Sequence, residues 1–187
     1  LKTLCDLDIL EREVPPTEKN IETSKKGQYR IKDNFLAFWF RFVYPMRSFI
    51  ESDHPEIAMA KLKTGFIPNH VGYVYEDICR QKMWELNVQG KLPFLFDRVG
   101  RWWGGKDTEI DIVAIDTTDR SKIIFGECKF HQNVPMQLSE LHQLKEKAAV
   151  VPWGNANRDE YFALFCISGY SEDLQQLAQE DSHLLLM

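Results

Sequence analysis

EIDIVAID, at residues 109–116, and IIFGECKF, at residues 123–130, predict two neighbouring β-strands. The first alternates polar and apolar residues at its start, and the second is rich in β-branched and aromatic residues, as in the strands of a buried sheet. Residues two apart on a strand share a face, so Glu127 lies beside Lys129. A hairpin turn between the two strands would bring Asp111 next to both.

Two carboxylates that meet on an apolar sheet repel each other unless a positive charge lies between them. A divalent cation suits Asp111 and Glu127, with the Cys128 backbone carbonyl and waters completing its oxygen ligands. The alternative is a surface hairpin in which Glu127 and Lys129 form an ion pair of little energetic value. Because an unpaired charge is costly in an apolar setting, the flanking side chains favour an acidic site. Glu109, on the same face as Asp111, is either a spare ligand or a solvated carboxylate.

The segments around these strands alternate between helix and strand. The spacing of apolar residues predicts helices over residues 70–87, 136–150 and 172–183, and strands over residues 92–98 and 161–168. Helices and strands in this order predict an α/β fold, with a central mixed sheet flanked by helices.

The N-terminal part of the chain predicts a different kind of module. Residues 1–32 indicate a helix, a strand, a basic loop and a strand, which is the back half of a winged helix or else an irregular hairpin. FLAFWFRFVY, at residues 35–44, carries aromatic residues on nearly every helical face and stops at Pro45. We expect it to be a buried connector rather than an aromatic binding surface. The sequence therefore predicts the tail of a winged helix (1–32), a helical connector (33–68) and an α/β domain (69–187).

Composition narrows the class of protein. Hydrophobic residues make up 44% of the 187 residues and charged residues 27%, as in ordinary globular proteins. The net charge of −5 argues against wrapping nucleic acid through bulk positive charge. Residues 1–50 carry nine basic and seven acidic residues, so a net charge of −7 falls on residues 51–187.

The sequence predicts a cytoplasmic protein with reduced thiols and no membrane segment. Its four cysteines are widely spaced, and it has neither a signal peptide nor a long apolar run. The start at Leu1 predicts a C-terminal fragment of a longer protein.

Taken together, the helix, the three strands and the Glu-x-Lys pattern resemble the PD-(D/E)xK nuclease superfamily, whose fold is restriction-endonuclease-like. The likeness covers residues 69–168, although Ile110 stands where that superfamily often has a proline. YRIKD at residues 29–33, the Phe-rich helix and Trp102-Trp103 resemble more closely the C-terminal half of archaeal and bacterial AAA-type ATPases. That half ends in a domain labelled DUF234, and the chain contains no P-loop motif of the ATPase itself.

The resemblance also implies a metal-binding or catalytic role for each residue of the acidic site. Asp111 and Glu127 would bind Mg²⁺ or Mn²⁺, Lys129 would orient or activate the attacking water, and Glu76 would be an auxiliary carboxylate for a second metal or a metal-bound water. The implied activity is DNA hydrolysis by an endonuclease, with ATP bound only by an N-terminal ATPase domain of the full-length chain. The alternative is a catalytically idle fold that serves as a regulatory, interaction or DNA-binding module of that ATPase. Lys147, on the helix after the Glu-x-Lys strand, is expected on a solvated face.

Overall fold

The computed structural model describes residues 1–105, 107–155 and 157–187. Its helices are α1 (Lys2–Asp6), α2 (Asn34–Phe38), α3 (Arg47–Glu51), α4 (Pro55–Phe66), α5 (Gly72–Val88), α6 (Leu138–Ala148) and α7 (Glu172–Glu180). Its strands are β1 (Leu10–Glu13), β2 (Gln28–Ile31), β3 (Arg98–Gly104), β4 (Thr108–Ile115), β5 (Lys122–Lys129), β6 (Asp159–Cys166) and β7 (Leu184–Leu186). The described chain divides into two compact units. The first is Leu1–Glu13 with Gln28–Val74, and the second is Val14–Gly27 with Tyr75–Met187.

The first unit begins with a helix and a strand pair. β1 and β2 are antiparallel, with Leu10 opposite Ile31. Arg30 on β2 forms ion pairs with Glu11 and Glu13 on β1, which stabilise the register across the pair. The predicted order of helix, strand, loop and strand is therefore confirmed, and the assignment to a winged helix stays a prediction.

The aromatic segment 35–44 differs from the single helix that the sequence predicts. α2 ends at Phe38, and the chain continues through a π-helical turn to Val43 and a 3₁₀ turn to Met46 before α3 begins. Pro45 does not end the helical path, because it lies in the first turn of the 3₁₀ segment, where its missing N–H is not needed.

The same segment is also less buried than expected. Phe42 is buried in a ring cluster with Phe38, Phe66 and His70. Phe35, Phe40 and Tyr44 are instead 65%, 50% and 56% exposed. One ring cluster covers one side of a helical segment, so aromatic residues on its other sides stay in contact with solvent. The segment is therefore only partly buried in this chain, and its role as a connector stays a prediction.

The chain is also helical around residues 65–69, where the sequence predicts that a helix ends. Gly65, Pro68 and Asn69 predict the end of a helix, yet a π-helical turn at Ile67–Val71 joins α4 to α5. Pro68 lies in the first turn of that π-helical segment, where the wider turn tolerates the missing N–H.

The second unit contains a sheet of five strands among the described residues, in the order β3-β4-β5-β6-β7. The pairs β3–β4 and β4–β5 are antiparallel. The pairs β5–β6 and β6–β7 are parallel. β5 lies in the centre, and its residues 123–128 are all buried. A central strand that is covered on both faces needs a nearly continuous apolar run, as residues 123–125 provide.

Helices cover both faces of this sheet. α6 and α7 bury leucines against one face, in a cluster that contains Val113, Phe125, Leu141, Leu144, Leu164 and Leu174. α5 covers the other face, in a cluster that contains Cys79, Met83, Ile112, Ile124 and Phe165. The predicted α/β architecture with a mixed, helix-flanked sheet is confirmed, and the restriction-endonuclease-like topology stays a prediction.

The predicted strand at residues 92–98 is wrong. Asn87 donates to the Phe96 carbonyl (2.9 Å) and accepts from the Phe96 N–H (3.0 Å). Because a side chain satisfies both backbone groups of Phe96, that residue needs no strand partner. The strand begins instead at Arg98 and includes Trp102 and Trp103.

Residues 14–27 are bound to β3 within this unit. The Trp102 indole donates to Thr17 Oγ1 (3.1 Å), and the Trp103 indole donates to the Lys26 carbonyl (3.1 Å). Lys26 Nζ in turn pairs with Glu18 at 2.8 Å. Trp102 is 2% exposed and belongs to the core.

Two further features concern the whole described chain. None of its helices is both long and apolar enough to cross a lipid bilayer. Its cysteines are free thiols, of which Cys79, Cys128 and Cys166 are buried.

Candidate active site

Asp111 and Glu127 lie opposite each other where the pairing of β4 and β5 ends. The last backbone pair is Ile112 opposite Gly126, and continuing that register places Asp111 opposite Glu127 on the same face. The Cys128 N–H donates a hydrogen bond of 2.8 Å to Asp111 Oδ2. The carboxylate thus takes the position of a strand carbonyl, which holds Asp111 at the end of the ladder.

Glu127 is a buried carboxylate with two cationic partners. It is 5% exposed, and its Oε1 lies 2.5 Å from Lys129 Nζ while its Oε2 lies 3.2 Å from Lys147 Nζ. Lys129 comes from the same strand, whereas Lys147 comes from the last turn of α6. An unpaired charge this deeply buried would be costly, so the two ammonium groups stabilise Glu127 in its buried position.

Glu76 reaches the site from α5. Its Oε2 is buried and, among the described residues, has no hydrogen-bond partner, although Arg80 Nη1 lies 3.7 Å away. Arg80 also donates to the Asp111 carbonyl (3.2 Å) and pairs with Asp77. It therefore links α5 to β4 beside Asp111.

The environment of these acids alters their protonation. Burial, followed by the charge of Asp111, raises the pKa of Glu76 to about 7. Burial, followed by the charge of Glu127, raises the pKa of Asp111 to about 6, against the opposing effect of the Cys128 N–H. Both acids therefore exchange protons near neutral pH, a property common at functional sites.

Lys129 stays protonated in this environment. Burial alone would lower the pKa of Lys129, but the charge and hydrogen bond of Glu127, together with the charge of Asp111, raise it above its ordinary value. The site accordingly contains a firmly cationic ammonium within reach of a buried carboxylate.

The donor set matches what a hard divalent cation prefers, because it consists of carboxylate oxygens and includes Glu76 Oε2, which accepts no hydrogen bond from the described residues. In the present side-chain arrangement, however, no group of three or more His, Cys, Asp and Glu within residues 1–105, 107–155 and 157–187 is placed to hold a metal ion. Glu127 is turned toward Lys129 and Lys147 instead. The residues fit a cation chemically, and a cation bound at Glu127 would lie next to both lysines. The Cys128 carbonyl as a ligand stays a prediction.

The sequence identifies most of this cluster but misplaces one residue. The structure brings Asp111, Glu127 and Lys129 together, with Glu76 close enough to Asp111 for their charges to interact. Lys147 contacts Glu127, so its expected place on a solvated face is wrong. It follows Leu144 by three residues and adjoins Ala148, both fully buried, and this position at the edge of the apolar stripe is the signal that was available.

Glu109 is not part of the cluster that the hydrogen bonds and ion pairs of the described residues define. It is exposed at the start of β4, opposite Trp103, in agreement with the solvated alternative. Arg80, in contrast, was not recognised from the sequence, although it follows Glu76 by four residues on one helical face.

Comparison with known proteins places the cluster within a described family. A family model described as "Archaea bacterial proteins of unknown function", DUF234, matches residues 39–148, a range that contains Glu76, Asp111, Glu127, Lys129 and Lys147. The uncharacterized protein MJECL04 of Methanocaldococcus jannaschii is 35% identical over 165 residues, which make up 88% of this chain and 36% of that protein. The chain therefore spans about a third of the length of this relative. No solved structure matches the chain significantly.

Proposed function

Because the chain belongs to the DUF234 family of archaeal and bacterial proteins, whose description leaves the activity open, we propose a function from the site itself: metal-dependent hydrolysis of DNA phosphodiesters. The observation that carries the proposal is the meeting of Asp111 and Glu127 at the end of the β4–β5 ladder, with Lys129 bound to Glu127. This arrangement provides anionic oxygens for a cation and an ammonium for an anionic substrate on one face of the sheet.

The proposed roles follow from the charges. Asp111, Glu127 and Glu76, together with the Cys128 carbonyl, would hold Mg²⁺ or Mn²⁺. Such an ion supplies positive charge at a phosphoryl oxygen and makes bound water a stronger nucleophile. Lys129, kept cationic by Glu127, positions the attacking water or stabilises the negative charge that develops on the phosphate.

Cleavage by matched variants tests this function. Wild-type protein should cleave plasmid or single-stranded DNA when Mg²⁺ or Mn²⁺ is present, and Glu127→Gln should abolish the activity by removing a charge from the cation site. Lys129→Ala should lower the rate about 10²-fold, the effect of losing one group that stabilises the transition state. Lys145→Met, on the exposed side of α6, should cleave like the wild type. Rates at background for wild type under every condition would contradict the proposal.

A second candidate function has an observation in its favour. Both oxygens of Glu127 are already paired with lysines, and an ion-paired cluster of this kind also suits a catalytically idle module that binds a partner. In that case Glu127→Gln and Lys129→Ala would leave DNA unchanged but would weaken association with the partner. Pull-down of an N-terminal ATPase portion by wild type and by the two variants distinguishes this module from the nuclease.

The proposal extends to the longer chain. The resemblance to AAA-type ATPases implies an N-terminal ATPase domain as partner, with ATP bound there. The 36% share of the Methanocaldococcus jannaschii relative is consistent with additional domains in that protein. Cleavage by the longer protein with and without ATP tests whether the ATPase regulates the site.

A further inference from the structure

Both carboxylate oxygens of Glu127 already face an ammonium group. Lys129 occupies Oε1 at 2.5 Å and Lys147 occupies Oε2 at 3.2 Å. The side chain of Glu127 is 7% exposed, so water offers little screening between charges that approach it. A divalent cation that binds Glu127 therefore comes close to two ammonium groups, and repulsion between these positive charges favours the departure of one of them.

The two lysines are not equally held. Lys129 lies on β5 next to Glu127, has the shorter contact and is also attracted by Glu140, whereas Asp111 attracts both lysines. Lys147 lies at the end of α6 and contacts Glu127 through one longer ion pair. The two side chains are similarly exposed, at 29% and 33%, so the contact distance distinguishes them. The ammonium with the longer contact loses less attraction when it moves into water.

We propose that Lys147 is the internal counter-ion of Glu127 and that a divalent cation displaces it on binding to the site. This inference rests on the proposed function and deepens it, because it names how metal binding to that site is regulated. In the absence of the cation, Lys147 keeps the buried carboxylate neutralised. As the cation binds, the ammonium moves from Oε2 toward solvent, so the metal affinity is set by competition with the side chain of α6.

Neighbouring Lys145 provides a matched control. It lies on the same helix two residues earlier, and its Nζ lies 5.2 Å from the centre of the Phe162 ring rather than at a carboxylate. A substitution there removes the same charge from the same helix without freeing Glu127. Any difference between the two positions therefore reports the contact with Glu127 and not the net charge of the protein.

The test is Mn²⁺ binding by isothermal titration calorimetry at pH 8, on the whole chain. Lys147→Met should bind Mn²⁺ about 2- to 5-fold more tightly than wild type, the scale of one partly exposed ion pair. Lys147→Arg, which keeps the charge, should bind no more tightly than wild type, and Lys145→Met should match wild type. Equal or weaker binding by Lys147→Met overturns the inference and leaves the proposed metal site intact. If wild type and Lys147→Met both bind Mn²⁺ no more tightly than Asp111→Asn does, that result overturns both the metal site and this inference.

A second measurement uses wild-type protein and does not depend on whether a variant folds. NMR of the lysine side chains should show the Lys147 signals moving toward those of a solvated lysine as Mg²⁺ is added, while the Lys145 signals stay in place. Lys147 signals that do not move at saturating Mg²⁺ overturn the displacement.

Discussion

Asp111 Oδ2 accepts a hydrogen bond of 2.8 Å from the backbone N–H of Cys128. The bond joins a side chain of β4 to the main chain of β5 one residue after Glu127. It holds the Asp111 carboxylate at the strand ends and leaves its second oxygen available. It also opposes the burial and the Glu127 charge, which together raise the pKa of Asp111 to about 6.

Asp111→Asn should separate folding from function. The asparagine carbonyl can still accept from the Cys128 N–H, so the fold should persist. The free energy of unfolding at pH 8 should rise by about 1–3 kcal/mol, because the substitution removes a buried negative charge next to Glu127. Mn²⁺ binding and cleavage should both be lost. Thermal melts and calorimetric titration measure these effects, with the exposed Glu109→Gln on the same strand as control. Tight Mn²⁺ binding by Asp111→Asn would remove this residue from the ligand set.

Glu76→Gln should change stability in a pH-dependent way. The folded pKa of Glu76 is about 7, above the ordinary 4.5, so the folded state holds the proton more strongly than the unfolded state. The stabilisation is complete below about pH 4.5 and is lost as the pH rises through about 7. Glu76→Gln should therefore be about 1–3 kcal/mol more stable than wild type at pH 8 and about equal at pH 4. Urea unfolding at both pH values measures this, and Glu85→Gln, exposed on the same helix, should change little at either.

Metal binding should strengthen with pH. Protons compete with the cation for Asp111 and Glu76, whose pKa values are raised to about 6 and about 7. The Mn²⁺ affinity should rise steeply from pH 5 to pH 8, by up to about tenfold per pH unit for each proton displaced. Titrations in buffers of different ionisation enthalpy would count the released protons. An affinity that stays constant over this range would show that neither acid binds the ion.

Asn87→Ala should destabilise the sheet unit strongly. Its buried side chain satisfies both the N–H and the carbonyl of Phe96, at 3.0 and 2.9 Å. Losing both partners should lower the free energy of unfolding by about 2–4 kcal/mol, because two buried backbone groups are left unpaired. Chemical denaturation measures the loss, and Gln81→Ala, exposed on the same helix, is the control. A change below about 0.5 kcal/mol would mean that water replaces the side chain.

The pair of strands that carries the site was predictable because its signal is local. Alternation fixes which side chains share a face, and a short hairpin fixes the register, so Asp111, Glu127 and Lys129 follow from about twenty residues. Lys147 follows β5 only after a loop and a full helix, and its contact depends on how α6 lies on the sheet. The spacing of residues along the chain does not reveal how α6 is oriented on the sheet. The sequence therefore predicts a solvated position for Lys147.

The errors at residues 92–98 and 35–44 have another cause. Both segments are rich in apolar residues, and a single sequence does not reveal whether such residues pair as a strand, cap a core or remain exposed. At Phe96 a buried asparagine replaces the strand partner. The sequence does not predict β7, because the three leucines at 184–186 are too few to show strand alternation and their pairing with β6 decides their conformation.

The attachment of residues 14–27 to β3 bears on how the chain can be shortened. A fragment that begins at residue 69 would contain the complete sheet but would lack Thr17 and the Lys26 carbonyl, which accept the indole N–H groups of Trp102 and Trp103. The smallest self-sufficient piece of the sheet unit is therefore discontinuous in sequence, and cutting the chain once cannot isolate it intact. If the chain is cleaved after residue 27, residues 14–27 should stay bound to β3 and co-purify with the rest of the sheet unit.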